Sequence, residues 1–139
     1  WWKDTGKPED ILEANRLVLD DIEPMNKGKT EDEVSIHGRV SIDEGTVIKK
    51  GSVIKGPVII GKSCGIGPNT YIGPYTSIGD KTTIRNGEIE DSIVLGESEI
   101  DCKRKIVGSL IGKNSTIKSY DKLPHGNRLI IGENTILEI

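Results

Sequence analysis

The chain has 139 residues, with 19 Lys and Arg against 22 Asp and Glu and a formal net charge of -3. That length allows one domain with a modest core. The near-balance of charge argues against nucleic acid as a main partner, and no apolar stretch approaches the ~20 residues that span a bilayer.

In chain order, residues 1–24 differ in kind from the rest. They open Trp1-Trp2-Lys3, without an initiator Met, as expected of a piece of a longer polypeptide. Two adjacent tryptophans need a core that so short a segment does not supply. Pro8 suits a first helical position, and Glu9 and Asp10 behind it complement the helix dipole. A helix over about 8–22 is expected, with Ile11, Ala14, Val18 and Ile22 on one stripe, widened by Leu12 and Leu19. Pro24 ends it. Residues 25–33, MNKGKTEDE, are polar and read as a linker.

From residue 34 a repeat takes over. Isoleucine occupies 36, 42, 48, 54, 60, 66, 72, 78 and 84, nine positions spaced six apart. At an isoleucine frequency of roughly one in ten, chance would give this about once in a billion starting positions. A period of six is neither 3.6 nor 2, so it fits very short strands separated by turns. The isoleucine points inward from each strand and its neighbours point outward. The fifth position of each hexad is small or β-branched, from Val40, Thr46 and Ser52 to Cys64, Thr76 and Thr82, as a tight corner requires. Glycine and asparagine near the corners suit positive φ. Inward positions continue at Ile89, Val94, Ile100, Ile106, Ile111 and Ile117, with some steps of five. Residues 118–128 are a polar excursion, after which Ile131-Gly132-Glu133-Asn134-Thr135 restores the motif. The expected fold is all-β: a parallel β-helix over 34–139 preceded by one short α-helix.

This repeat resembles the left-handed β-helix of the hexapeptide-repeat family, with three hexads per coil. The left hand is implied by that resemblance alone, since right-handed crossovers are the general rule. The segment from Trp1 to Arg16, WWKDTGKPEDILEANR, resembles the end of the catalytic domain of glucose-1-phosphate thymidylyltransferases and related sugar-nucleotide pyrophosphorylases. The stretches Ile72–Gly79, Glu90–Leu95 and His125–Gly132 resemble the β-helix tail of the long form of that family. The resemblance implies that residues 1–24 close a catalytic nucleotidyltransferase domain that lies upstream and that is this chain's partner. In such enzymes glucose 1-phosphate and dTTP give dTDP-glucose and pyrophosphate. Two aspartates there hold Mg2+, which neutralises phosphate charge; Asp4 matches the second of them. The first aspartate and the glycine-rich phosphate loop are not in this sequence, so no catalytic residue is assigned within it.

Some hexapeptide β-helices are instead acyl-CoA-dependent sugar N-acetyltransferases, which need a general base. The bifunctional relatives carry a Pro-His-x-Asn-Tyr type of segment. The aligned stretch here, residues 100–109, has no His, Asn or Tyr, so acetyl transfer is not expected. His125 would be the base if it occurred. His37 follows a repeat isoleucine and should face solvent. Cys64 fits a corner by size, Cys102 has no histidine beside it in sequence, and Lys103-Arg104-Lys105 reads as a solvated turn. Two cysteines without metal-ligand spacing and no visible signal peptide point to a reduced, cytoplasmic protein. The outward positions Val47, Val53, Ile59 and Tyr71 are apolar, and three hexads per coil put Val53 and Tyr71 on one face. That face is the expected self-association surface. Resemblance favours a trimer, although two-fold assemblies are commoner among proteins at large.

Overall fold

The computed structural model describes residues 7–119, 126, 129, 130, 132–134, 136 and 138. Among the described residues, helix α1, Pro8–Leu19, is followed by 17 short strands in three parallel sheets. Sheet A stacks β1 (Met25–Asn26), β4 (Val40–Ile42), β7 (Val58–Ile60), β10 (Thr76–Ile78), β13 (Ile93–Val94) and β16 (Leu110–Ile111). Sheet B stacks β2 (Lys29–Thr30), β5 (Val47–Ile48), β8 (Gly65–Ile66), β11 (Thr83–Arg85), β14 (Glu99–Asp101) and β17 (Thr116–Lys118). Sheet C stacks β3 (Ser35–His37), β6 (Val53–Lys55), β9 (Tyr71–Ile72), β12 (Glu88–Glu90) and β15 (Ile106–Val107). The chain visits A, B and C in turn, so each set of three strands is one coil. This is a left-handed parallel β-helix, the coil that the repeat implied with the hand that the family resemblance implied.

The expected inward register holds across the described strands from β3 onward. Ile42, Ile60, Ile78, Val94 and Ile111 are consecutive partners up sheet A. Ile48, Ile66, Ile84, Ile100 and Ile117 follow up sheet B, and Ile36, Ile54, Ile72, Ile89 and Ile106 up sheet C. From Ile42 to Ile84 every repeat isoleucine is buried, while Ile36, in the edge strand of sheet C, is 37% exposed. The corner residues Thr46, Ser52, Thr76 and Thr82 are completely buried. Their hydroxyls add a second ladder: Thr46 Oγ1 accepts from the Cys64 amide at 3.0 Å and Ser52 Oγ from the Thr70 amide at 3.3 Å. Small polar residues sit there because a buried hydroxyl must find partners, and the next coil offers a backbone N–H.

Positive φ at the corners is not confined to glycine and asparagine. Ser63, Tyr75, Lys81 and Glu97 adopt it too, each with its amide bonded to a carbonyl of the preceding coil, as in Tyr75 to Pro57 at 2.8 Å. The coil-to-coil bond offsets the local cost of a left-handed conformation. Gly79 is needed for a different reason: a Cβ there would lie 2.6 Å from the Gly96 nitrogen.

Residues 25–33 are not a linker. They supply β1 and β2, which pair with β4 and β5, so the first coil begins at Met25. The expectation failed because their inward positions, Asn26 and Thr30, are polar and carry no hexad signal. Exposed polar residues suit the terminal coil of a solenoid, where no further coil covers them.

Candidate functional site

The three outer faces of the solenoid differ. Sheet A is the docking face of α1. Leu12, Asn15, Arg16 and Leu19, spaced i, i+3, i+4 and i+7, form one stripe of the helix. Leu12 and Leu19 are buried in it. Asn15 accepts a hydrogen bond from Ser77 Oγ at 2.6 Å and donates to the Tyr75 carbonyl at 3.1 Å. The Arg16 guanidinium grips both oxygens of Asp91, at 2.8 and 2.5 Å, and the Asp91 carboxylate raises the pKa of Arg16. Tyr75 donates its hydroxyl to the Asp20 carboxylate at 2.7 Å, which raises its own pKa. Arg39 donates to the Asp20 carbonyl. This differs from the stripe expected from sequence: Ala14 is exposed and Val18 is 61% exposed, beside Leu17 at 66%. The helix also ends at Leu19 rather than 22: Asp20 is its C-cap, and the Asp21 and Ile22 amides bond the Val18 and Leu19 carbonyls three residues back, which closes it in a tightened last turn.

On sheet B the charged side chains of β11, β14 and β17 pair within the chain. Arg85 bonds Glu99 at 2.9 Å and Asp101 at 3.1 Å, and Lys118 lies 3.9 Å from Glu99.

Sheet C carries the pair expected at an interface. Val53 and Tyr71 are register partners one coil apart, and both are half-buried. Tyr71 lies across Gly73, where a Cβ would come within 2.6 Å of its hydroxyl oxygen. That hydroxyl donates to Glu90 Oε2 at 2.7 Å, and Lys105 Nζ holds the other Glu90 oxygen at 2.8 Å. Desolvation, then the bond to Glu90, pushes the Tyr71 phenol up to about 12. Lys105, then Tyr71, hold the Glu90 carboxyl below its ordinary value. A shallow depression of about 390 Å³ beside Tyr71 is lined by Val53, Lys55 and Glu88 among others. Neither Lys55 nor Glu88 forms an ion pair with another described residue.

Asp4 and His125 lie outside the described residues, as do Ile131 and Thr135 of the restored motif. His37 is exposed at the edge of sheet C, in register with Lys55. Cys64 and Cys102 are free and buried. Cys64 donates its thiol to the Gly79 carbonyl at 3.2 Å, and burial raises its pKa, the opposite of what a nucleophilic thiol needs. Among the described residues there is no group of three or more His, Cys, Asp and Glu that could hold a metal ion. No helix among them is long and apolar enough to cross a membrane. The hexad register does not reveal the helix junction, because its partners are 19 to 75 residues apart. The one local hint is Asp91, which sits in a five-residue step with φ of 48°.

Residues 54–138 match the family model of the GMPPB C-terminal domain. The chain belongs to that family. Over its full length it is 53% identical to the low-salt glycan biosynthesis nucleotidyltransferase Agl11 of Haloferax volcanii, of which it covers 39%. It is 42% identical over its full length to the glucose-1-phosphate thymidylyltransferase of Streptomyces antibioticus, covering 38% of that protein. A shorter match, 53% identical over 45 residues, is to the bifunctional protein GlmU of Methanocaldococcus jannaschii and covers 32% of this chain and 11% of that one. The chain thus spans about two-fifths of the length of the nucleotidyltransferases it matches from end to end.

Proposed function

We propose that this chain is the β-helix part of a sugar-nucleotide pyrophosphorylase, and that the whole polypeptide converts glucose 1-phosphate and dTTP into dTDP-glucose and pyrophosphate. The observation that carries this reading is end-to-end similarity to two nucleotidyltransferases, of which the chain covers only 39% and 38%. The solenoid makes no bonds in that reaction. It serves as an assembly and regulatory domain, held to the rest through α1. The docked junction supports that role: the side chains of Asn15, Arg16, Asp20, Arg39, Tyr75, Ser77 and Asp91 fix the helix on sheet A. Mg2+ belongs in this reading to Asp4 together with a carboxylate of the upstream domain. The described residues contain no metal-binding cluster. A cytoplasmic setting fits two free, buried cysteines.

The test is pyrophosphate release. The full gene product, given dTTP, glucose 1-phosphate and Mg2+, is expected to release it, and the 139-residue chain is expected to release none. Release by the chain alone would overturn the division of labour. A full gene product inactive with every sugar 1-phosphate and nucleoside triphosphate pair would overturn the family of reactions.

A further inference from the structure

Helix α1 has two sides that carry apolar residues, and the solenoid uses one of them. At about 3.6 residues per turn, Leu12, Asn15, Arg16 and Leu19 lie toward sheet A, while Ile11, Ala14, Leu17 and Val18 fall on the opposite arc, about 120° wide. Leu17 is 66% exposed and Val18 61%, Ala14 is exposed, and Ile11 is half-buried. Asp10 shares the arc only in the first turn, where it complements the helix dipole. This distribution reverses that of an ordinary surface helix, which turns its apolar stripe to the core and its polar residues to water. Asn15 and Arg16 face the solenoid, bonded to Ser77, the Tyr75 carbonyl and Asp91, and the more apolar arc faces outward.

We infer that this outer arc, centred on Leu17 and Val18, is the docking surface for the upstream domain of the same polypeptide, so that one helix is clamped between two bodies. The inference rests on the reading that this chain is the β-helix part of a longer nucleotidyltransferase, and it adds the contact through which the two parts are joined.

Length and placement select this occupant. The chain aligns from end to end with nucleotidyltransferases of which it covers 39% and 38%, so in a polypeptide of that length most of the chain lies outside these residues. The matching family is a C-terminal domain, which puts that remainder before α1. All 17 described strands follow the helix, so its outer arc is the described apolar surface nearest in sequence to the rest of the polypeptide. Size separates this neighbour from a partner that binds freely. A helix of 12 residues is about 18 Å long, and one side of it falls far short of the ~800 Å² that each partner brings to a stable complex between separate proteins. The same limit weighs against a second copy of the chain. A domain on the same polypeptide needs much less surface, because the covalent link raises its effective concentration.

Hydrogen-exchange mass spectrometry across residues 8–19 tests the contact, on the full gene product and on the 139-residue chain. The helix is expected to exchange about tenfold or more slowly in the full gene product than in the chain, because a second contact must open there. Leu17→Lys/Val18→Lys should return it in the full gene product to the rate in the chain. In the chain itself the same double change should alter exchange by no more than about twofold, as exposed positions tolerate substitution. Lysine is a good helix former and suits a last turn, so the change acts on the outer contact and not on the helix. Equal exchange in the two proteins, extra protection that survives the double change, or a chain that loses protection on it would each overturn the inference. So would a dimer of the chain, seen in sedimentation velocity, that the double change dissolves, since a second copy would then be the occupant. Pyrophosphate release is not read in this comparison. A full gene product that is active but shows equal exchange rejects the contact alone, and one that is inactive but protects α1 rejects the reaction alone.

Discussion

At the scale of single residues, position in the hexad decides consequence. Ile66 is completely buried between Ile48 and Ile84, and the stack has no slack to fill a void. Ile66→Ala is expected to cost about 2–5 kcal/mol in denaturant melts. Lys62, exposed at the neighbouring corner, offers its backbone amide to Asp80 at 2.7 Å but no buried side-chain contact. Lys62→Ala should stay within about 0.5 kcal/mol. Equal losses would refute the register. Tyr71 gives a pH signature. Its folded pKa of about 12 lies above the ordinary 10, so its contribution to stability is complete below pH 10 and is lost as pH rises through about 12. Phenolate absorbance should show a late titration that Tyr71→Phe removes. Glu90→Gln should bring its midpoint down only part of the way, since desolvation is the larger cause.

Helix α1 stands or falls by its docking. Its amide ladder is only 12 residues long, too short to persist in water by itself. Leu19, completely buried, is its main apolar anchor, and Leu19→Ala should cost about 2–5 kcal/mol of the helix's attachment. Arg16 is partly exposed, so its pair with Asp91 acts more on orientation than on strength. Arg16→Met should raise hydrogen exchange across 8–19 while leaving the sheets as protected as before. Unchanged exchange in the helix would show that the apolar contact alone holds it. The element also shows why an amphipathic reading of sequence misassigned a face. Leu17 and Val18 are apolar and exposed, while Asn15 and Arg16 face the solenoid. A hydrophobic stripe predicts burial only where the opposing surface is apolar. Here sheet A offers Ser77, the Tyr75 carbonyl and Asp91, and polar helix residues fit it better.

The whole molecule is a stack in which each coil touches only its neighbours, so stability should be graded along it. Native-state hydrogen exchange is expected to be slowest in β7–β12, which have coils on both sides. It should be faster in β1–β3, where Asn26, Thr30 and Ile36 meet solvent, and in β16 and β17. Uniform protection from end to end would mean that the solenoid opens only as one unit. Incubation of the chain with acetyl-CoA and glucosamine 1-phosphate is expected to release no thiol at a steady rate. Turnover that a His125→Ala variant abolishes would reverse that expectation. The sequence by itself determined the coil: with one inward residue per side of a three-sided turn, the period is the geometry, and Ile42 to Ile117 fall where the spacing puts them. It also determined that Val53 and Tyr71 share a face, because 18 residues is one coil. Only the tertiary structure decided the rest. Residues 25–33 became two sides of the first coil because β4 and β5 offered them open edges. The buried face of α1, the Arg16–Asp91 grip and the Tyr71–Glu90–Lys105 chain depend on which distant residues the stacking brings level, and no local period encodes that.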